Sequence, residues 1–423
     1  MTECEAVIGI GQADALLSQE QIETIMQEGL GRLAVDGRRV LIIIPDGTRT
    51  MPVKRFYDLF RSLLAPRVET MDYLVALGTH RPMDDAALSE LIGYPVRDGR
   101  CHESRILNHH WDDPDSLVQL GTIPAADMET LTRGLLVRDV PVRLNRLILD
   151  YDQIIICGPV FPHEVVGFSG GTKYLFPGIA GAEIINFTHW LGAVMTNYAI
   201  IGSGYTPVRA VIDRAASLVP TPLASCCLVT TSAGVHGLYF GRPELAWEAA
   251  SELSSQVHIV WLDEPVQRVL SVMPTLYDDL WTAAKGMYKL EPAVADGGEV
   301  VIYAPHITEV SYTHGRLLDE IGYHCRDYFL KQWDRFKDYP GGVLAHSTHC
   351  KGLGEYDPVT GVETPRVTVT LATGIPRERC ERINLGYLDP ATIDIPAWQA
   401  RAQEGVLVVP RAGEMLYRIR RQA

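Results

Sequence analysis

Val40-Leu41-Ile42-Ile43-Ile44-Pro45 runs directly into Asp46-Gly47-Thr48-Arg49, and this join decides the architecture. An apolar run without alternation, rich in β-branched residues, reads as a strand buried on both faces, as in a parallel sheet layered with helices. The amphipathic stretch Val53 to Leu64 follows as a helix. Met71 to Leu77 reads as a second strand, with a helix from Met83 to Ile92. Gln153 to Val160 reads as a third, with a helix near Ala182 to Leu191. Strands alternating with helices predict an α/β fold.

Each of these strands ends in polar residues. The first ends in Asp46 to Arg49, the second in Gly78-Thr79-His80-Arg81-Pro82, and the third in the segment carrying His163. Ligands of open α/β sheets bind outside the carboxyl ends of the strands, so a parallel sheet would bring Arg49, His80 and His163 to one edge. Histidines suit proton transfer near neutral pH, one as base and one as acid; each is otherwise an ordinary loop histidine. Arg49 offers a planar fork for a carboxylate or phosphate, or else a surface ion pair. Asp46 and Thr48 also suit a helix cap.

The third segment reads His163-x3-Gly167-Phe168-Ser169-Gly170-Gly171-x-Lys173-x3-Pro177-Gly178-x10-His189. Its glycines let the backbone approach a ligand closely, and Lys173 supplies a charge or a nucleophilic amine. A Walker A loop needs Gly before the Lys and Ser or Thr after it. Thr172 and Tyr174 stand there instead, which argues against ATP hydrolysis.

In the second half, Glu264 to Met273 reads as helix-forming and gives way to a turn at Pro274. Strands are expected at Glu299 to Ala304, Gly342 to Ala345, Arg366 to Ala372 and Gly405 to Val409. These predict an N-terminal α/β domain over 1–265 and a smaller α/β domain over 266–405, with a cofactor and substrate cleft between them. A terminal segment, 406–423, packs back on a domain. Its basic stretch Arg411 to Arg421 reads as a solvated helix, amphipathic from Glu414 on. Lys285, in Trp281-Thr282-Ala283-Ala284-Lys285-Gly286-Met287, reaches such a cleft or is a solvated helix lysine. Ala345-His346-Ser347-Thr348-His349-Cys350-Lys351 lines the cleft or is an ordinary loop. Its two histidines have the spacing of a metal pair but lack a third ligand.

Composition narrows the class. The 423 residues are 47% apolar and 21% charged, as in a soluble globular protein. No apolar run of about 18 residues suggests a membrane span. Met1 to Ala15 carries Glu3, Glu5 and Asp14 and does not resemble a secretory signal. A net charge of −14 argues against nucleic-acid or anionic-membrane surfaces. Eight scattered cysteines without a C-x-x-C pair fit a reducing cytoplasm and exclude a zinc ribbon.

Together the quoted motifs resemble the nickel-pincer lactate racemase family. The matching pieces are Asp46 to Arg49, Leu77 to Pro82, the block His163 to His189 and Lys285-Gly286-Met287, over roughly residues 40 to 290. The resemblance implies a racemase or 2-epimerase of a 2-hydroxy carboxylic acid that works by reversible hydride transfer through a 2-keto acid. Its cofactor would be the nickel-pincer nucleotide, a nickel(II) pyridinium bisthiocarboxylic acid mononucleotide attached through Lys173, with His189 as metal ligand. His80 and His163 would be the acid–base pair. Arg49, Lys285 and Thr282 would bind substrate, and Asp46, Gly47, Thr48 and Arg49 would border the cofactor. Cofactor-biosynthesis proteins are the implied maturation partners.

Departures bear on the substrate. Lactate-acting members carry Tyr-Gln where this chain has Trp281-Thr282, Trp333 is a candidate for the family's substrate-covering tryptophan, and Ala345 to Pro390 is unlike the lactate enzymes. A malate-like, aromatic or sugar acid such as gluconate stays open beside lactate. Two alternatives remain. One is a nicotinamide-dependent 2-hydroxy acid dehydrogenase, for which no Gly-x-Gly-x-x-Gly follows a first strand. The other is a non-catalytic phosphate- or metal-binding module.

Overall fold

The computed structural model describes residues 6–420. Glu3 and Glu5 of the acidic start, and Arg421 of the basic tail, lie outside them. The fold is mixed α/β, and the chain divides into two units. The first comprises 1–161, 168–185 and 204–257, and the second 162–167, 186–203 and 258–423. The sequence places one boundary near residue 265. Here the chain passes to the second unit at 258, and two earlier excursions, one of them carrying His163 and the other His189, already group with that unit.

The first unit is built on an eight-stranded sheet. Its order is Ile8–Gly11, Gly234–Gly241, Leu223–Thr231, Gln153–Pro159, Arg39–Ile44, Thr70–Val75, Ser104–Asn108 and Arg100–Cys101. The five central strands run parallel and the outer pairs antiparallel. Residues 40–44 and 71–75 are buried throughout, which explains the absence of alternation; the one charged residue among them, Asp72, pairs with Arg105 and Tyr151. Phe56, Tyr57 and Phe60 of the helix Val53–Leu63 cover one face together with Ile22 and Met26 of the helix Gln19–Gly31. Register fixes where the chain leaves the sheet: Ile44 pairs with Val75 and Ile43 with Ile156, so the polar ends of these strands emerge at one level.

The second unit holds an all-parallel five-stranded sheet, ordered Gly386–Tyr387, Thr368–Thr373, Val294–Ala304, Val266–Val272 and Val406–Val409. Three expectations are corrected in this unit. The stretch Glu264 to Met273 contains the strand Val266–Val272, which has a strand neighbour on each side; β-branched Val266, Val269 and Val272 fit it better there than in a helix. The strand expected at Gly342 to Ala345 and the loop after it form one helix, Gly341–Lys351, buried from Gly342 on. A helix enclosed on all sides shows no amphipathic stripe, so its polar residues imitate a loop. The basic tail forms the strand Leu416–Ile419, parallel to Ile259–Leu262, rather than a solvated helix. No helix among the described residues is long and apolar enough to cross a membrane.

Candidate active site

In the first unit the strand ends build a compact acid–base cluster. Asp46, only 6% exposed, follows the strand Arg39–Ile44 and sends Oδ2 to within 2.5 Å of His80 Nδ1. His80 is held by a tight turn in which its own N–H donates to Leu77 O at 2.9 Å. The other carboxylate oxygen accepts from Thr48 N at 3.2 Å and Thr48 Oγ1 at 2.7 Å. Arg49 Nη1 donates to Thr48 Oγ1 at 2.6 Å, and its guanidinium lies 5.7 Å from the Phe161 ring centroid. Burial alone would raise the Asp46 pKa; the charge and hydrogen bond of His80, with Arg49 and Thr48, instead hold it well below the ordinary carboxylate range. An ionised carboxylate only accepts hydrogen bonds. His80 therefore carries a proton on Nδ1, and Nε2 is the nitrogen that gains or loses one.

The glycine loop is braced from beneath. Gly170 adopts φ +83, and a Cβ there would come 2.4 Å from Val160 Cγ2, so only glycine fits this turn. Arg209, 1% exposed, donates to Phe168 O at 2.6 Å, Gly170 O at 3.2 Å and Thr172 Oγ1 at 3.2 Å. It also lies 4.3 Å from the Trp247 ring, whose Nε1 donates to Ser169 O at 2.9 Å. Thr172 Oγ1 donates to Asp213 Oδ1 at 2.6 Å. Burial pushes the Arg209 pKa down to about 10. Half-buried Lys173 follows in the short turn Gly171–Tyr174. Its neighbour Tyr174 feels the charges of Arg49 and Asp46, which links the loop to the acid–base cluster.

The second unit carries a separate set of histidines. His163 is buried, and its Nδ1 accepts from Val165 N at 3.1 Å while lying 3.2 Å from Glu164 Oε2. The Val165 amide favours a lone pair on Nδ1 and the Glu164 carboxylate a proton there, so both groups orient the ring through this nitrogen.

Lys285 is buried, donates to Thr282 O at 3.2 Å and lies 5.0 Å from the Tyr277 ring centroid. Thr282 Oγ1 donates toward Asp279 O and Oδ1 at 3.1 and 2.9 Å, as part of the cap of the helix Leu280–Ala283. Trp281 lies between His314 and His346, 4.6 and 4.1 Å from their ring centroids. His346 Nε2 is 3.1 Å from Tyr323 Oη. Burial pushes His346 well below the usual imidazole range, aided by the charges of His349, His314, Lys285 and His189. Burial also takes His349 to about 4, with Glu164 opposing and His189 adding to it. Trp333, 37% exposed, stacks on Trp190 at 5.3 Å, directly after His189 in the chain.

The structure thus joins Asp46, Thr48, Arg49 and His80 in one cluster and sets Lys173 on a braced loop of the same unit. It groups His163, His189, Thr282 and Lys285 in the other unit. Sequence reasoning missed Glu164 and Tyr323, and it read His346 and His349 as cleft-lining or ordinary loop residues with the spacing of a metal pair. Their spacing of three residues would have placed both on one helix face. Among the described residues, no three His, Cys, Asp or Glu side chains are arranged to hold a metal on their own.

Residues 13–201 match the lactate racemase N-terminal domain. A solved Thermotoga maritima protein is 32% identical, with a TM-score of 0.88 over 97% of this chain and 100% of that one. The chain belongs to the lactate racemase-like family. The lactate racemases of Thermoanaerobacterium thermosaccharolyticum and Lactiplantibacillus plantarum are each 23% identical, over 64% and 68% of this chain. These matches span 61% and 66% of the two relatives, less than two thirds of either. The apoprotein structure of the former shares the fold, with a TM-score of 0.70 at 19% identity over 98% of this chain and 100% of that one.

Proposed function

We propose that this protein is a racemase or 2-epimerase of a 2-hydroxy carboxylic acid and works with a nickel-pincer nucleotide. The observation that carries the reading is that both histidines are oriented through Nδ1, His80 by Asp46 and His163 by the Val165 amide and Glu164. Inversion at C2 needs a base for the substrate hydroxyl on one face and an acid to return a proton on the other. The two roles exchange for the opposite enantiomer.

The residues present suit the cofactor. A Cβ at Gly47 or Gly78 would meet nothing within 4 Å, which leaves room beside Asp46 and His80. Lys173 stands on a braced loop as the attachment point, and His189 supplies an imidazole donor compatible with soft sulfur around Ni(II). When bound, the group would supply a reversible acceptor for the C2 hydride. Arg49 and Lys285 hold the carboxylate, and Asp46 fixes the tautomer of His80. Burial of His163 keeps bulk water from its ring.

Intact-mass and nickel analysis test the reading on protein co-expressed with the cofactor pathway. An adduct on Lys173 with bound nickel, lost in Lys173→Ala together with inversion of a 2-hydroxy acid, is the expected result. No adduct and no nickel, with activity unchanged in Lys173→Ala, overturns it.

A further inference from the structure

The helices Ala182–Met195 and Gly341–Lys351 end at one cavity of about 270 Å³, a volume that includes its mouth. Ala193, Thr196 and Asn197 line it from the end of the first helix, Thr348 and Gly352 from the second, and Arg326 from a third segment. Arg326 Nη1 donates to Val194 O at 3.0 Å, which ties the guanidinium to the end of the first helix. Its Nη2 reaches only Asp327 Oδ1, at 3.5 Å, and among the described residues its buried Nε has no hydrogen-bond partner. Nε and Nη2 share the guanidinium edge that pairs side-on with two oxygens of one anion. That edge has no strong acceptor within the protein.

The rest of the lining adds donors. Thr196 Oγ1 accepts from Ala199 N at 3.3 Å, which leaves its hydrogen to donate. Asn197, 3% exposed, turns one amide hydrogen toward Glu291 Oε2 at 3.5 Å and retains a second. Helix C-termini attract cations, but here Arg326 already meets Val194 O and Gly352 N meets Thr348 O. The two nearby carboxylates are paired as well. Glu291 Oε1 lies 3.6 Å from Arg366 Nε, and Asp327 Oδ2 lies 3.1 Å from Lys331 Nζ. The charge left to the cavity is that of Arg326, which favours an anion.

We propose that this cavity binds a small oxyanion, a carboxylate or a phosphate, through the Nε–Nη2 edge of Arg326 with Thr196 and Asn197. The bound anion fastens together the ends of the two helices that carry His189 and His349. Lys285 does not line this cavity, so the site is additional to the one that holds the substrate carboxylate.

Calorimetric and thermal-shift titrations of the full chain with sodium acetate and sodium phosphate test it, against sodium chloride at equal ionic strength. They are run in Lys285→Met, which removes a competing carboxylate site, and in the same variant carrying Arg326→Lys or Arg326→Gln. The Lys285→Met protein is expected to bind one of the two anions and to melt higher with it; the tighter one gives the class of the ligand. Arg326→Lys keeps the charge and still reaches Val194 O but lacks the fork, and is expected to lose at least about tenfold in affinity. Arg326→Gln loses more, and the Lys variant carries the test if Gln impairs folding. Stabilisation no greater than that given by chloride overturns the inference, as does unchanged affinity in Arg326→Lys.

Discussion

Asp46 Oδ2 and His80 Nδ1 lie 2.5 Å apart at the ends of adjacent parallel strands, and this pair sets which nitrogen of His80 is basic. Asp46→Asn removes the obligate acceptor and allows the wrong tautomer. Turnover with a 2-hydroxy acid is expected to fall about 10²-fold or more with KM little changed, and Asp46→Glu to recover part of it. The same carboxylate stabilises the fold. Its native pKa is depressed, so its contribution is full above the ordinary carboxylate range and fades as pH falls below it. Melting curves of Asp46→Asn and wild type therefore separate at pH 7 and converge in acid.

Lys285 and Thr282 separate experimentally. Lys285 Nζ donates to the backbone carbonyl of Thr282, whereas the Thr282 hydroxyl points into the Asp279 cap. Lys285→Met is expected to raise KM at least about tenfold with a smaller change in kcat. Thr282→Val is expected to cost about 1 kcal/mol in denaturant unfolding and to leave KM within about threefold. Steady-state kinetics and urea titration of both variants check the pair.

Arg209 holds the lysine loop through two carbonyls and a hydroxyl. Arg209→Ala leaves those carbonyls buried without their donor, with a stability loss of about 2–4 kcal/mol. The covalent occupancy of Lys173, read by intact mass, is expected to fall with it. Full occupancy in a folded Arg209→Ala protein would show that the brace does not position the lysine.

His109 gives the pH dependence of the first unit. It is buried, with Nε2 2.9 Å from Ala180 O and Nδ1 3.2 Å from Asn145 Nδ2, and burial takes its pKa down to about 4. The unfolded chain takes up this proton near pH 6.5, so between that value and 4 it binds more protons than the native protein. Stability thus falls as pH drops through this window, by on the order of 3 kcal/mol from this residue. His109→Gln is expected to flatten the acid limb of the melting temperature, measured from pH 7 to pH 4.

Much of the first unit was legible because its strands are largely apolar runs followed by polar clusters. The runs at Arg39–Ile44, Thr70–Val75 and Gln153–Pro159 are adjacent and parallel. The bond from Asp46 to His80 was not legible, since it depends on the register between two strands. The second unit misled where burial hides periodicity. The helix Gly341–Lys351 shows no polar stripe, and Val266–Val272 resembles a helix until its sheet neighbours are known. The tail strand Leu416–Ile419 is stabilised by a partner more than 150 residues earlier, which no local pattern reports.

The most direct test of the central claim follows a 2-hydroxy acid labelled with deuterium at C2 through one turnover by cofactor-loaded protein. Hydride transfer between C2 and the bound cofactor, with His80 and His163 handling only the hydroxyl proton, predicts product of opposite configuration that retains deuterium at C2. Inverted product whose C2 label has exchanged with solvent would contradict the account, and so would the absence of inversion across lactate, malate and gluconate.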